Sequence, residues 1–174
     1  MFCSYKILSA LLLFIIPASD TFAAEDYYKE ITLTAYAGPS YTAGFYSDYL
    51  KTGYIYGISA FYNLPFLNSN TYLLGGTSYS SYEMQVNSSS TLSMADIYAG
   101  GMFTYPLFSY IFINTGFKVR GIYSTLDTAN TGVTETAFKP GYSLFAGGMT
   151  YLGRGIGLFL NAEYRVTEFS SAKF

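Results

Sequence analysis

An all-β wall of antiparallel, up-and-down strands, curled into a transmembrane barrel, is the fold this sequence predicts, and three observations carry the prediction. The first is the stretch Tyr110 to Tyr123, YIFINTGFKVRGIY. In steps of two, Ile111, Ile113, Thr115, Phe117, Val119, Gly121 and Tyr123 share one face, while Phe112, Asn114, Gly116, Lys118 and Arg120 share the other. Side chains alternate across a strand, so one face is oily and the other carries two cations and an amide. The segment is longer than most soluble strands and long enough to cross a bilayer when tilted. The second observation is composition: 51% hydrophobic and 20% aromatic residues with only 11% charged, against roughly 25% charged in a soluble domain. This shortage of charge comes without any long apolar run, which excludes a helical membrane protein. Abundant Tyr and Gly in short alternating segments mark a transmembrane β-barrel instead. The third is a rhythm in the connections, described below.

The N-terminus reads as a removable export signal. Lys6 supplies the positive lead, Ile7 to Ile16 the apolar core and Pro17 the break, and Thr21-Phe22-Ala23 offers small residues where a signal peptidase reads. Cleavage is expected after Ala23, with Ala24 the neighbouring choice. Residues 1–23 are then the signal peptide and 24–174 the barrel domain. Cys3 leaves with the signal, so the mature chain holds no disulfide and no thiolate metal site.

Seven strands follow in order. ITLTAYAG sets Ile31, Leu33, Ala35 and Ala37 against Thr32, Thr34 and Tyr36. TGYIYGISAFYN sets Tyr54, Tyr56, Ile58, Ala60 and Tyr62 against Gly53, Ile55, Gly57, Ser59 and Phe61. The third, Thr71 to Met84, groups Tyr72, Leu74, Gly76, Ser78, Ser80 and Tyr82, with Leu73, Thr77, Tyr79 and Glu83 opposite and read as lumenal. The fourth, Leu92 to Thr104, turns Ala95, Ile97, Ala99, Gly101 and Phe103 outward and Asp96, Tyr98, Gly100 and Met102 inward. The fifth is the opening stretch. The sixth, Glu135 to Thr150, places Phe138, Tyr142, Leu144, Ala146 and Gly148 against Glu135, Lys139, Gly141, Ser143, Phe145, Gly147 and Met149. Pro140 cannot donate to a ladder and predicts a bulge or a frayed end. The seventh, Ile156 to Thr167, sets Ile156, Leu158, Leu160, Ala162, Tyr164 and Val166 against Gly157, Phe159, Asn161, Glu163 and Arg165. An internal echo, Tyr98-Ala-Gly-Gly-Met102 and Phe145-Ala-Gly-Gly-Met149, falls in the same phase both times.

Connections near 64–70, 105–109 and 151–155 are short and hold Pro or Gly. Those near 43–50, 85–91 and 124–134 are polar, and the last is the longest. Short turns on one side and longer polar loops on the other is the arrangement of a membrane barrel.

With its signal peptide, Tyr/Gly-rich strands, short–long rhythm and terminal Phe174, the chain resembles the small outer-membrane β-barrel proteins of Gram-negative bacteria, of the OmpA-barrel and OmpX type. The resemblance implies a closed barrel of about eight strands with its N-terminus in the periplasm. It implies an outer-membrane location, membrane lipid and lipopolysaccharide as surroundings, and the barrel assembly machinery as folding partner. A monomer with an extracellular partner at its loops also follows from it. The sequence shows one strand too few: Glu168, Ser170 and Ala172 occupy phases where a closing strand carries apolar residues. An open edge leaves backbone groups unpaired in lipid, so a closing strand is missing, a parallel pairing of first and last strands closes an odd barrel, or the chain assembles with something else; a missing closing strand is the expectation.

The candidate constellation is a lumenal charge network of Glu83, Asp96, Lys118, Arg120, Glu135, Lys139, Glu163 and Arg165. The reading is a plug of charges in the outer half over an apolar inner half lined by Phe61, Leu73, Met102, Phe112, Phe145, Met149 and Phe159. An eight-stranded barrel is just wide enough for its side chains to fill. The alternative is a narrow path or pocket among Lys118, Arg120 and Lys139 for an anionic solute. Histidine is absent, so Ser–His chemistry lacks its usual base, and no carboxylates show Ca²⁺-loop spacing. Asp96 with Glu83 as an acid–base couple is the weaker reading beside salt bridging. No enzyme activity, cofactor or metal is expected, and a net charge of -2 argues against nucleic acid. Tyr54, Tyr62, Tyr72, Tyr82, Tyr105, Tyr110 and Tyr123 read as interfacial girdles.

Overall fold

The computed structural model describes residues 4–16, 31–43, 48–64, 66–67, 70–85, 90–109, 111–128, 133–153 and 156–168. Side chains are described for these except at 4–16, 43, 133–135, 151–153, 156–157 and 168. Eight strands appear among the described residues: β1 Ser4–Ile16, β2 Ile31–Ala43, β3 Gly53–Asn63, β4 Thr71–Glu83, β5 Thr91–Phe108, β6 Ile111–Thr128, β7 Val133–Gly153 and β8 Ile156–Glu168. Each pairs antiparallel with its sequence neighbour, and β1 pairs with β8 to close the barrel. Closure gives every strand two neighbours, which is the condition for a sheet without edges. No helix among the described residues is long and apolar enough to cross a membrane.

The expectation of a missing closing strand is corrected here. The eighth strand is Ser4–Ile16, which runs from Ser4↔Glu168 to Ile15↔Gly157 against β8 and from Lys6↔Ala43 to Ile16↔Leu33 against β2. Sequence periodicity missed it because SYKILSALLLFII has no two-residue alternation to announce a strand. The cleavage region around Ala23 and Ala24 lies outside the described residues, as does Cys3.

Alternation holds along β2, β3, β5, β6 and β7, and along β8 as far as Arg165, after which Val166, expected outward, is buried like its neighbours Arg165 and Thr167. Ile58, Ile97, Phe117, Val119, Phe138, Leu144 and Leu160 are exposed outward, whereas Thr34, Ile55, Tyr98, Met102, Asn114, Phe145 and Phe159 are buried inside. β4 is the exception, and its expected phase is reversed. Leu74, Ser78, Ser80 and Tyr82 point inward and are buried, while Leu73, Thr77 and Glu83 are exposed outside. Its Tyr/Ser composition leaves neither face clearly oilier, so the lumenal hydrogen bonds of Ser78 and Tyr82 decide the phase. Tyr82 is therefore a core residue and Tyr72 packs against the core, so neither belongs to a girdle. Tyr54, Tyr62, Tyr105 and Tyr123 are exposed outward, and Tyr110 lies outside the described residues.

The connections also differ from expectation. β5 continues through Pro106 to Phe108, with its register shift between those two residues, so the turn into β6 is tighter than predicted. β6 extends to Thr128 and β7 begins at Val133, which absorbs most of the polar loop expected at 124–134. Pro140 sits in register opposite Gly121 without a bulge, because the ladder to β8 begins only at Gly141 and asks for no N–H at Pro140. The bulge lies instead between Tyr151 and Gly153.

Glycines let lumenal aromatics lie flat across neighbouring strands. A Cβ on Gly76 would stand 2.2 Å from the Ile58 carbonyl oxygen and 2.6 Å from the Tyr98 hydroxyl. A Cβ on Gly116 would stand 2.5 Å from the Phe145 ring. Adjacent Gly75, on the outer face, meets nothing closer than 3.6 Å. Gly76→Val is thus expected to destabilise the barrel by about 1–3 kcal/mol through overpacking. Gly75→Val should leave stability nearly unchanged, as read from urea unfolding in detergent by tyrosine fluorescence. Equal effects at the two positions would contradict the inward phase of Gly76.

Candidate functional site

The lumen is built in layers along the barrel. Toward the end that holds 64–70 and the β5–β6 turn lies an apolar core of Tyr36, Ile55, Leu74, Tyr98, Met102, Phe145 and Phe159, with Phe61, Tyr72 and Met149 packed on it. Toward the opposite end lies a second apolar cluster, Leu50, Tyr82, Met94 and Ile122. Charges occupy the level between them. The plug is therefore sandwiched, not set in the outer half above a single apolar floor. Tyr82 and Ile122 complete the cap, and the reversed phase of β4 hid Tyr82 from the sequence reading.

Five of the eight predicted residues meet there, brought in by β5, β6 and β8. Arg120 is the hub: its Nη1 donates to Asp96 Oδ2 at 2.5 Å, its Nη2 to Glu163 Oε1, and its Nε to Ser143 Oγ at 3.1 Å. Lys118 Nζ donates to Glu163 Oε2 at 2.6 Å. Arg165 Nε donates to Glu163 Oε1 at 2.9 Å, and its Nη1 approaches Asp96 Oδ2 at 3.4 Å. Ser78 Oγ closes the set by donating to Asp96 Oδ1 at 2.6 Å. All five charged side chains are buried. Both carboxylates are engaged on each oxygen, so neither stands free as a general base.

Aromatic faces hold the cations from the core side. Lys118 Nζ lies 4.7 Å from the centre of the Tyr98 ring and 5.0 Å from that of Phe145, and the Arg120 guanidinium lies 4.9 Å from Tyr98. Ring quadrupoles attract such cations most strongly where water is excluded. The Tyr98 hydroxyl is fixed in turn by Ser59 Oγ at 2.5 Å and the Tyr36 hydroxyl at 3.1 Å. These tyrosines and serines take part in the network and were not predicted as site residues. Their positions on inward phases opposite the charges were the available signal.

Glu83 does not join the cluster. Glu83 faces outward on β4 and pairs with Lys51 at 3.1 Å, with both side chains largely in solvent. Its removal from the lumen follows from the reversed phase of β4. Lys139 is half-buried and has an interaction partner of its own. Glu135 pairs in register with Leu126, and its side chain lies outside the described residues. Asp96 and Glu83 are therefore not a couple. No group of three or more potential metal-ligating side chains occurs among the described residues.

No family model matches the chain. No curated protein matches it either. Among solved structures the chain is similar to Neisserial surface protein A, at 11% identity and a TM-score of 0.47 over 95% of this chain and 97% of that one. It is also similar to Ail, the attachment invasion locus protein of Yersinia pestis, at 10% identity and a TM-score of 0.38 over 97% and 99% of the two chains. A third is the outer membrane protease OmpT from Escherichia coli, at 10% identity and a TM-score of 0.39 over 96% and 95%. Identities this low say nothing of activity.

Removing one member of a buried charge cluster leaves its partners uncompensated, at a cost of about 3–5 kcal/mol. Glu163→Leu leaves Lys118, Arg120 and Arg165 facing Asp96 alone and is expected to fall in that range. Glu83→Ala removes a solvent-screened pair and should change stability by about 0–1 kcal/mol. Urea midpoints of the two variants in detergent check this, and similar losses would contradict the burial of the cluster.

Proposed function

We propose that this protein is a non-enzymatic integral outer-membrane β-barrel with a side-chain-filled lumen. Its role on this reading is structural, or one of surface contact through its outer loops. The observation that carries it is the pairing of an oily outer wall with a lumen filled by side chains around a bonded charge cluster. Ile58, Ile97, Val119, Phe138, Leu144 and Leu160 face outward and exposed, an arrangement that water disfavours and lipid accepts. Inside, Asp96, Lys118, Arg120, Glu163 and Arg165 hold one another across the barrel between two apolar layers. An ion on its way through would have to break those contacts and pass a dry cap.

A second reading, a narrow path or site for a small anion, has one observation in its favour. Three cations (Lys118, Arg120, Arg165) face two carboxylates (Asp96, Glu163), so the cluster carries an excess positive charge, and Arg165 Nη2 has no hydrogen-bond partner.

Planar-bilayer recording separates the two. The wild-type protein should insert and give no steady single-channel current, whereas an Asp96→Ala/Glu163→Ala variant that still folds should leak. A steady, anion-selective current from the wild type would favour the second reading. A wild-type chain that folds and stays dissolved in buffer without detergent would refute both.

A further inference from the structure

Six buried side-chain polar atoms among the described residues have no hydrogen-bond partner in the protein, and four of the six lie on one row of the barrel wall. Thr104 on β5 stands opposite Asn114 on β6, Asn114 opposite Gly147 on β7, and Gly147 opposite Asn161 on β8. The four atoms are Thr104 Oγ1, Asn114 Oδ1 and Nδ2, and Asn161 Oδ1. The other two, on Thr34 and Arg165, belong to other rows, opposite Ser59 and Ser143. Thr104, Asn114 and Asn161 are each at most 8% exposed. Gly147 puts no side chain between the two asparagines. A Cβ there would collide with Asn161 Oδ1, so Asn161 leans over Gly147 toward Asn114. One step toward the 64–70 end, the facing row is Phe112, Met149 and Phe159. One step the other way it is Met102, Gly116, Phe145 and Glu163. The polar row thus crosses the apolar layer directly beneath the charge cluster, where an unpaired donor or acceptor costs its full desolvation.

We propose that this row is a binding site for trapped water, held by Thr104, Asn114 and Asn161 between the aromatic floor of the lumen and its charges. The donor set selects the occupant. Asn114 offers both a donor and an acceptor, Asn161 an acceptor, and Thr104 a hydroxyl that serves as either. An anion would meet two carbonyl oxygens. A cation would meet the Asn114 amide, beneath a cluster whose own charges sum to an excess of positive. Water donates and accepts at once, and a buried molecule makes about three hydrogen bonds, which the row can supply. Held there, it ties β5, β6 and β8 together at the level where β7 has no side chain to give. This water is cut off from the bulk solvent that the apolar layers exclude. The site goes beyond the proposed function, since it needs neither conduction nor a partner at the loops.

The test reads the wild-type protein by NMR in detergent micelles, with the Asn114 side-chain amide assigned from its loss in Asn114→Leu. A direct rotating-frame cross-peak between that amide and water is expected, and it should persist in Thr104→Val, where no Thr104 hydroxyl can relay the signal. Its absence from the wild type, or its loss in Thr104→Val, overturns the proposal. Urea unfolding in the same micelles is the second measurement. Asn114→Leu and Asn161→Leu should each lower the folding equilibrium constant about tenfold, the worth of a buried hydrogen bond. The double variant should fall little further, because both substitutions release the same water. A rise in either single variant, as removal of a dry unpaired group would give, or two fully additive losses, overturns the proposal.

Discussion

The three-way contact of Arg120 with Asp96, Glu163 and Ser143 is the constraint on which the rest of the lumen depends. A guanidinium presents its donors in a fixed plane, so meeting acceptors from β5, β7 and β8 at once sets how those strands stand around β6. Taking five charges out of water is costly, and the attraction between them offsets that cost only with good geometry and additional hydrogen bonds. That requirement accounts for the neighbours. Ser78 and Ser143 supply hydroxyls, Tyr98 and Phe145 supply ring faces, and the clusters around Phe159 and Ile122 exclude water from either end. The glycines of the inner face follow in turn, since Tyr98 and Phe145 reach the charges only where the adjacent strand has no side chain.

Much of this was legible in the sequence because a two-residue period leaves little freedom once one face is oily. Along β6, Phe117 and Val119 could not face inward without sending Lys118 and Arg120 into the membrane, and the same logic settled β3, β5 and β8. It failed on β4, where tyrosine and serine suit either side and Glu83 suggested a lumenal phase that hydrogen bonding reversed. Closure was illegible for a different reason. Most of Ser4–Ile16 is apolar without a two-residue period, and such a run reads equally as the core of an export signal and as a strand. The cap was missed with β4, because Tyr82 had been turned toward lipid and Leu50 lies outside the named strands, in an isolated bridge to Met84.

Wall and lumen depend on each other. An oily exterior is tolerable only in lipid, and lipid in turn demands a closed ladder with no backbone left unpaired. Closure narrows the interior until side chains fill it, which turns isolated inward charges into a bonded cluster. A residue that changes face disturbs both sides together, so the phase of each strand is the property to measure. Single cysteines, placed in turn along Gly116 to Val119 and Ala95 to Ala99 in a chain with Cys3→Ser and labelled with a lipid-quenchable fluorophore, report it directly in vesicles. The account predicts quenching at 95, 97, 99, 117 and 119 and protection at 96, 98, 116 and 118; uniform quenching, or none at any position, would contradict it.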